Sequence, residues 1–108
     1  MIRVRLWRDP LGQPERLAVT GHAGRGQYGQ DIVCAAASVL VETLLLGLKD
    51  VADQPPAGSA DPGHADLRFA CPMSREARAI VETVVRGLQD LADSEPKAVS
   101  FENRNTSN

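Results

Sequence analysis

At 108 residues, with 43% hydrophobic content and a formal net charge of −2, the chain is sized for a single globular domain with one core. The slightly acidic balance gives no electrostatic footprint that calls for nucleic acid or an anionic membrane as an obligate ligand, and the predicted partners include no direct nucleic acid and no membrane. The opening residues MIRVRLWRD lack the apolar run of a signal peptide, so a cytoplasmic protein with Cys34 and Cys71 both reduced is expected.

In chain order, Ile2, Val4 and Leu6 alternate with Arg3, Arg5 and Trp7, the period of a strand with one buried face. The segment DPLGQPE is turn composition, and Leu17 to Thr20 reads as a second strand joined to the first by a hairpin. From Gly21 to Gln30 four glycines occur without apolar periodicity, which describes a loop. A helix is expected from Asp31 to about Asp50, with Asp31 as N-cap and Cys34 at the third helical position. So little of this helix is polar that it must be covered on most sides. It is short for a membrane span and carries Glu42, so a core position combined with a subunit interface is expected.

Asp53 to His64 is a Pro- and Gly-rich connection, and Ala65 to Ala70 reads as a third strand stopped by Pro72. Ser74 caps a second helix whose Ala77, Ile80, Val81, Val84, Leu88 and Leu91 fall on one face. Pro96 ends it, Ala98 to Phe101 is a last strand, and a polar tail begins near residue 103. The order β-β-α-β-α-β implies a two-layer α+β sandwich, with two helices on a small mixed or antiparallel sheet of about four strands.

The chemistry concentrates in GHAGRGQYGQDIVCAAAS, Gly21 to Ser38. A thiolate near an imidazole is the pair that thiol proteases use, the thiolate attacking a carbonyl and the imidazole moving the proton. Cys34 near a helix N-terminus would feel the positive end of the helix dipole, with backbone N–H groups of Cys34 and its neighbours as oxyanion donors. Asp31 is the nearest residue for orienting His22. From composition alone a packed, inert cysteine stays open, and with it a non-catalytic dimeric binding module.

Two other readings fail on spacing. Gly24, Gly26 and Gly29 spell G-x-G-x-x-G, but His22 and Ala23 intervene after the strand and Asp31 follows the third glycine, unlike a dinucleotide fingerprint. His22, Cys34, His64 and Cys71 match zinc ligands by type, yet none lies within four residues of another. No metal and no cofactor are expected.

The run GHA, a Gly-rich loop and GxDIVCAAxS resembles the signature of the ribosomal-processing cysteine proteases of the Prp family. The resemblance implies a dimeric endopeptidase with a His–Cys dyad that removes a short N-terminal extension from large-subunit ribosomal protein twenty-seven. It assigns His22 and Cys34 as the catalytic pair, with Gly21, Asp31 and Ser38 as further motif positions. The loop Ala23, Gly24, Arg25, Gly26, Gln27, Tyr28, Gly29 and Gln30 becomes the substrate-gating segment. Ala37 departs modestly from the pattern, where a larger β-branched residue is expected.

Overall fold

The computed structural model describes residues 1–22 and 28–105, with the backbone alone for 28–31. Five strands form one sheet: β1 (Ile2–Arg8), β2 (Pro14–Thr20), β3 (Ala57–Asp61), β4 (His64–Arg68) and β5 (Val99–Asn105), in the spatial order β3-β4-β2-β1-β5. All neighbours are antiparallel except β1 and β5, which run parallel. The sheet is therefore mixed, and the chain is the expected two-layer α+β domain with one strand more than predicted.

That extra strand is β3. Its sequence AGSAD has no apolar member to alternate, and every residue of it is exposed, so nothing in the hydrophobic pattern marks it. Pairing with β4 and the turn Asp61-Pro62-Gly63-His64 define it instead, with Gly63 at φ +78°, the value a type II turn demands at its third position. At the other end of the chain, the predicted polar tail continues as strand: β5 stays hydrogen-bonded alongside β1 as far as the pair Arg8 and Asn105. Main-chain pairing extends the strand where the side chains alone read as tail.

The helices are α1 (Tyr28–Leu46), continued by one π-helical turn over Gly47–Val51, and α2 (Arg75–Ser94). Ser74 caps α2 as predicted, its hydroxyl accepting from the Ala77 N–H at 3.1 Å. Both helices lie on one face of the sheet. Ile2, Val4, Leu6, Leu17, Val19 and Leu67 meet Val33, Val41, Leu44 and Leu48 from the α1 side and Val81, Val84 and Leu88 from α2 in one core. At Gly47 the helices approach so closely that a Cβ would stand 2.9 Å from Ile80 Cγ2. By length and composition Ile32–Val51 can cross a membrane, so the objection on length falls. Val33, Ala37, Val41, Leu44 and Leu48, all in the core, identify it as the central helix of the domain. Its outward side still carries Ile32, Val39 and Leu46, each more than half exposed.

Candidate active site

β2 ends at Thr20 and the chain turns out of the sheet at Gly21, where φ is +95°. The position excludes any side chain, because a Cβ there would run into the main-chain carbonyl of Met1. The Gly21 N–H donates to the Gly63 carbonyl at 3.0 Å, tying the end of β2 to the β3–β4 turn. His22 follows at once and is exposed to solvent. Its imidazole rests on Gly63: a Cβ on that glycine would stand 2.6 Å from Nε2 and 2.7 Å from Cε1.

Cys34 comes to the same place from α1. It is half-buried and packs against the core, and Ser38, one turn further along, lies exposed on the same side of the helix. Together with Gly21 and His22 they line one cleft of about 520 Å³ between α1 and the β3–β4 turn. Its floor is apolar, from Ile2, Val19, Ala37 and Val41, and its charged lining residues, Glu42 and Asp61, are acidic. A cleft with an apolar floor, a thiol on one wall and an imidazole on the other is suited to hold an extended peptide beside a nucleophile and its base.

Of the residues singled out in the sequence, His22, Cys34, Ser38 and Gly21 meet in this cleft. Asp31 does not stand where it was expected. The helix begins at Tyr28, so Asp31 is the fourth helical residue rather than the cap, and Cys34 is the seventh rather than the third. One glycine at position 29 costs a helix only about 1 kcal/mol, too little to hold the start back to Asp31. The consequence is chemical. The free N–H groups of a helix belong to its first four residues, so the Cys34 N–H is engaged within the helix and is not an oxyanion donor. The dipole effect also fades beyond the first turn, which leaves the activation of Cys34 to its neighbours.

The gating loop is likewise shorter than predicted, since Tyr28, Gly29 and Gln30 belong to α1. Ala23, Gly24, Arg25, Gly26 and Gln27 lie outside the described residues. Gly29, the third glycine of G-x-G-x-x-G, sits inside α1 as a dinucleotide fingerprint has it, so that objection falls, while His22 and Ala23 still stand between the end of β2 and the first glycine. Among the described residues no group of three or more His, Cys, Asp or Glu could hold a metal. Both cysteines are thiols, and Cys71 is exposed in the link between β4 and α2.

The sequence reading missed the far wall of the cleft. Asp61, Pro62, Gly63 and His64 all line it, at the end of the stretch that reads in sequence only as a Pro- and Gly-rich connection. The available signal was the Pro-Gly pair flanked by Asp and His, a turn signature with a mechanism.

Comparison with known proteins agrees with this geometry. The family described as cysteine protease Prp matches residues 1–100. Among solved structures, SMU.848 from Streptococcus mutans is similar at 29% identity and TM-score 0.88, covering 98% of this chain and 96% of its own. The ribosomal processing protease Prp from S. aureus, in complex with a covalently linked product peptide, is similar at 26% identity and TM-score 0.87. That alignment covers 96% of this chain and 100% of the S. aureus chain. The same enzyme in complex with a substrate peptide gives 25% identity and the same TM-score, 0.87. No curated protein matches the sequence. The chain belongs to the cysteine protease Prp family, and it is a cysteine protease by that membership.

Proposed function

We propose that this protein is a ribosomal processing endopeptidase in which Cys34 is the nucleophile and His22 the general base and then acid. The observation that carries the reading is the single cleft lined by both side chains. His22 takes the thiol proton as the Cys34 sulfur attacks the scissile carbonyl carbon, forming a tetrahedral intermediate. Collapse of that intermediate breaks the C–N bond, and His22 returns the proton to the departing amine. The acyl group is left on Cys34 as a thioester. Water then attacks the thioester with His22 again as base, releasing the carboxylate product and the thiol. Ser38, on the same wall, is positioned to hydrogen-bond groups held in the cleft.

The substrate proposed is large-subunit ribosomal protein twenty-seven carrying a short N-terminal extension, processed in the cytoplasm by a homodimer. Support for a peptide substrate comes from the S. aureus relative, which is described with a substrate peptide and with a covalently linked product peptide. Support for the dimer comes from Ile32, Val39 and Leu46, spaced seven residues apart on the open side of α1. No metal and no cofactor enter the reaction.

The test is incubation with extended and mature forms of the ribosomal protein, followed by mass spectrometry. Cleavage of the extended form alone, lost in a folded Cys34→Ala variant, is the expected result. Full cutting by that variant overturns the assignment. An intact extended form after incubation with the native enzyme favours the binding-module reading.

A further inference from the structure

The face of the sheet that the helices leave bare has a composition that the net charge hides. Strand register arranges its side chains in rows. One row runs Arg68 on β4, Arg16 on β2, Trp7 on β1 and Arg104 on β5. With strands about 4.8 Å apart, the row spans about 15 Å. The next row holds Asp66, Ala18, Arg5 and Glu102, and the third holds His64, Thr20, Arg3 and Ser100. Asp61 extends the third row onto β3. Five arginines therefore face three carboxylates, around the sole tryptophan of a chain whose net charge is −2. The rest of the molecule is correspondingly acidic.

Three of the arginines gather over the Trp7 ring. The Arg16 guanidinium lies 4.2 Å from the Trp7 ring centroid, Arg104 5.7 Å and Arg5 5.9 Å. Asp66 holds Arg16 in place with bonds of 2.8 and 2.6 Å, and Glu102 holds Arg104 at 2.9 Å. The Arg5 Nε is buried with no hydrogen-bond partner. Arg3 and Arg68 are exposed, and among the described residues neither closes an ion pair. Beside the row a second cleft, of about 540 Å³, is lined by Trp7, Arg16, Arg68 and Phe69 together with the carboxylates Asp9 and Glu15.

We propose that this face binds single-stranded RNA, with Trp7 and Arg16 stacking on bases and Arg3, Arg5, Arg68 and Arg104 set against phosphates. Stacking on indole and guanidinium planes beside a row of positive charge is how proteins hold unpaired RNA without reading sequence. An acidic peptide would satisfy the charges but leave the Trp7 ring without a partner. RNA rather than DNA is named because the proposed substrate is ribosomal, and in that respect alone the inference rests on the preceding one. The stacking row lies away from the catalytic cleft, whose rim the third row reaches at Asp61 and His64. Trp7 pairs with Arg16, four residues and about 13 Å along β2 from the end that leads to His22.

The experiment titrates the native protein with a single-stranded RNA of about 12 nucleotides and mixed sequence at about 50 mM salt, following tryptophan fluorescence and RNA anisotropy. Trp7 is the only tryptophan, so its quenching reports on this face directly. The expected result is quenching with binding that falls with log salt at a slope of about −2 to −3, as three or four phosphate contacts on a single strand require. Joint Arg68→Glu and Arg104→Glu substitution is expected to weaken binding by about tenfold or more, with peptide cleavage unchanged. The same charge change at Arg75 and Arg86, exposed on α2, should leave binding within about twofold. No quenching, an equal loss in the α2 variant, equal affinity for single-stranded DNA, or tighter binding of a glutamate-rich peptide would each overturn the proposal. None of these readouts depends on proteolysis, so they stand apart from any failure of the proposed activity.

Discussion

The imidazole of His22 lies against Gly63, close enough that a single methyl group on the glycine would meet Nε2 at 2.6 Å. His22 is exposed at the end of a strand, so among the described residues this contact, with the Gly21 to Gly63 hydrogen bond beside it, helps hold the ring. Gly63→Ala is therefore expected to displace the imidazole and lower kcat by about 10- to 100-fold while KM moves little. The substitution also imposes a positive φ on alanine, costing about 1–2 kcal/mol in stability. Gly12→Ala separates the two effects, because Gly12 has φ +85° and nothing within 4 Å of its Cβ position. Equal activity in the two variants would dismiss Gly63 as a support for His22.

With Cys34 as the seventh residue of α1, the helix terminus no longer accounts for a reactive thiol, and the burden passes to His22. Alkylation of Cys34 by iodoacetamide should then slow by about tenfold or more in His22→Ala when measured below neutral pH. Mass spectrometry of the modified chain distinguishes Cys34 from the exposed Cys71. An unchanged Cys34 rate would show that the imidazole does not activate it.

What could be read from the sequence was what hydrophobic period and capping chemistry encode. The α2 helix, with Ser74 before an apolar stripe, was legible in full, and so was the alternation of β1. The edge strand β3 was not, because AGSAD buries nothing and exists as a strand only through its pairing with β4. The site divided in the same way. His22 and Cys34 stood out by chemical type, whereas Gly63 acts through the absence of a side chain at one spot in space. The start of α1 was misjudged because an acceptable cap, Asp31, was available three residues inside the real terminus. Local capping preference is about 1 kcal/mol, small enough for packing to override.

The bidentate pair Arg8 and Glu82, at 2.7 and 2.8 Å, clamps the end of β1 to α2. Its hydrogen bonds hold the Glu82 carboxyl below its ordinary value of 4.5, with partial burial opposing. A depressed native pKa adds stability that is fully present above the ordinary carboxylate range and is lost as pH falls through the native value. Both side chains are about a third exposed, so the contribution is on the order of 0.5–1 kcal/mol. Glu82→Gln should unfold at lower denaturant than the native chain at pH 7, and the gap should close as pH is lowered through and below 4.5. A gap that persists undiminished in acid would assign the effect to packing instead of charge.

Ile32, Val39 and Leu46 are 58%, 59% and 55% exposed, and their spacing of seven places them in one stripe on the open side of α1. Three large apolar side chains in a line, on a helix whose opposite face fills the core, form the kind of surface that a second copy of the helix can cover isologously. Val39→Glu, at the middle of the stripe, would place a carboxylate against its own symmetry mate without touching the core. Sedimentation velocity at micromolar concentration should give a dimer for the native chain and a monomer for Val39→Glu, with the unfolding midpoint of the isolated monomer little altered. A native monomer, or a Val39→Glu dimer as tight as the native one, would remove α1 as the interface.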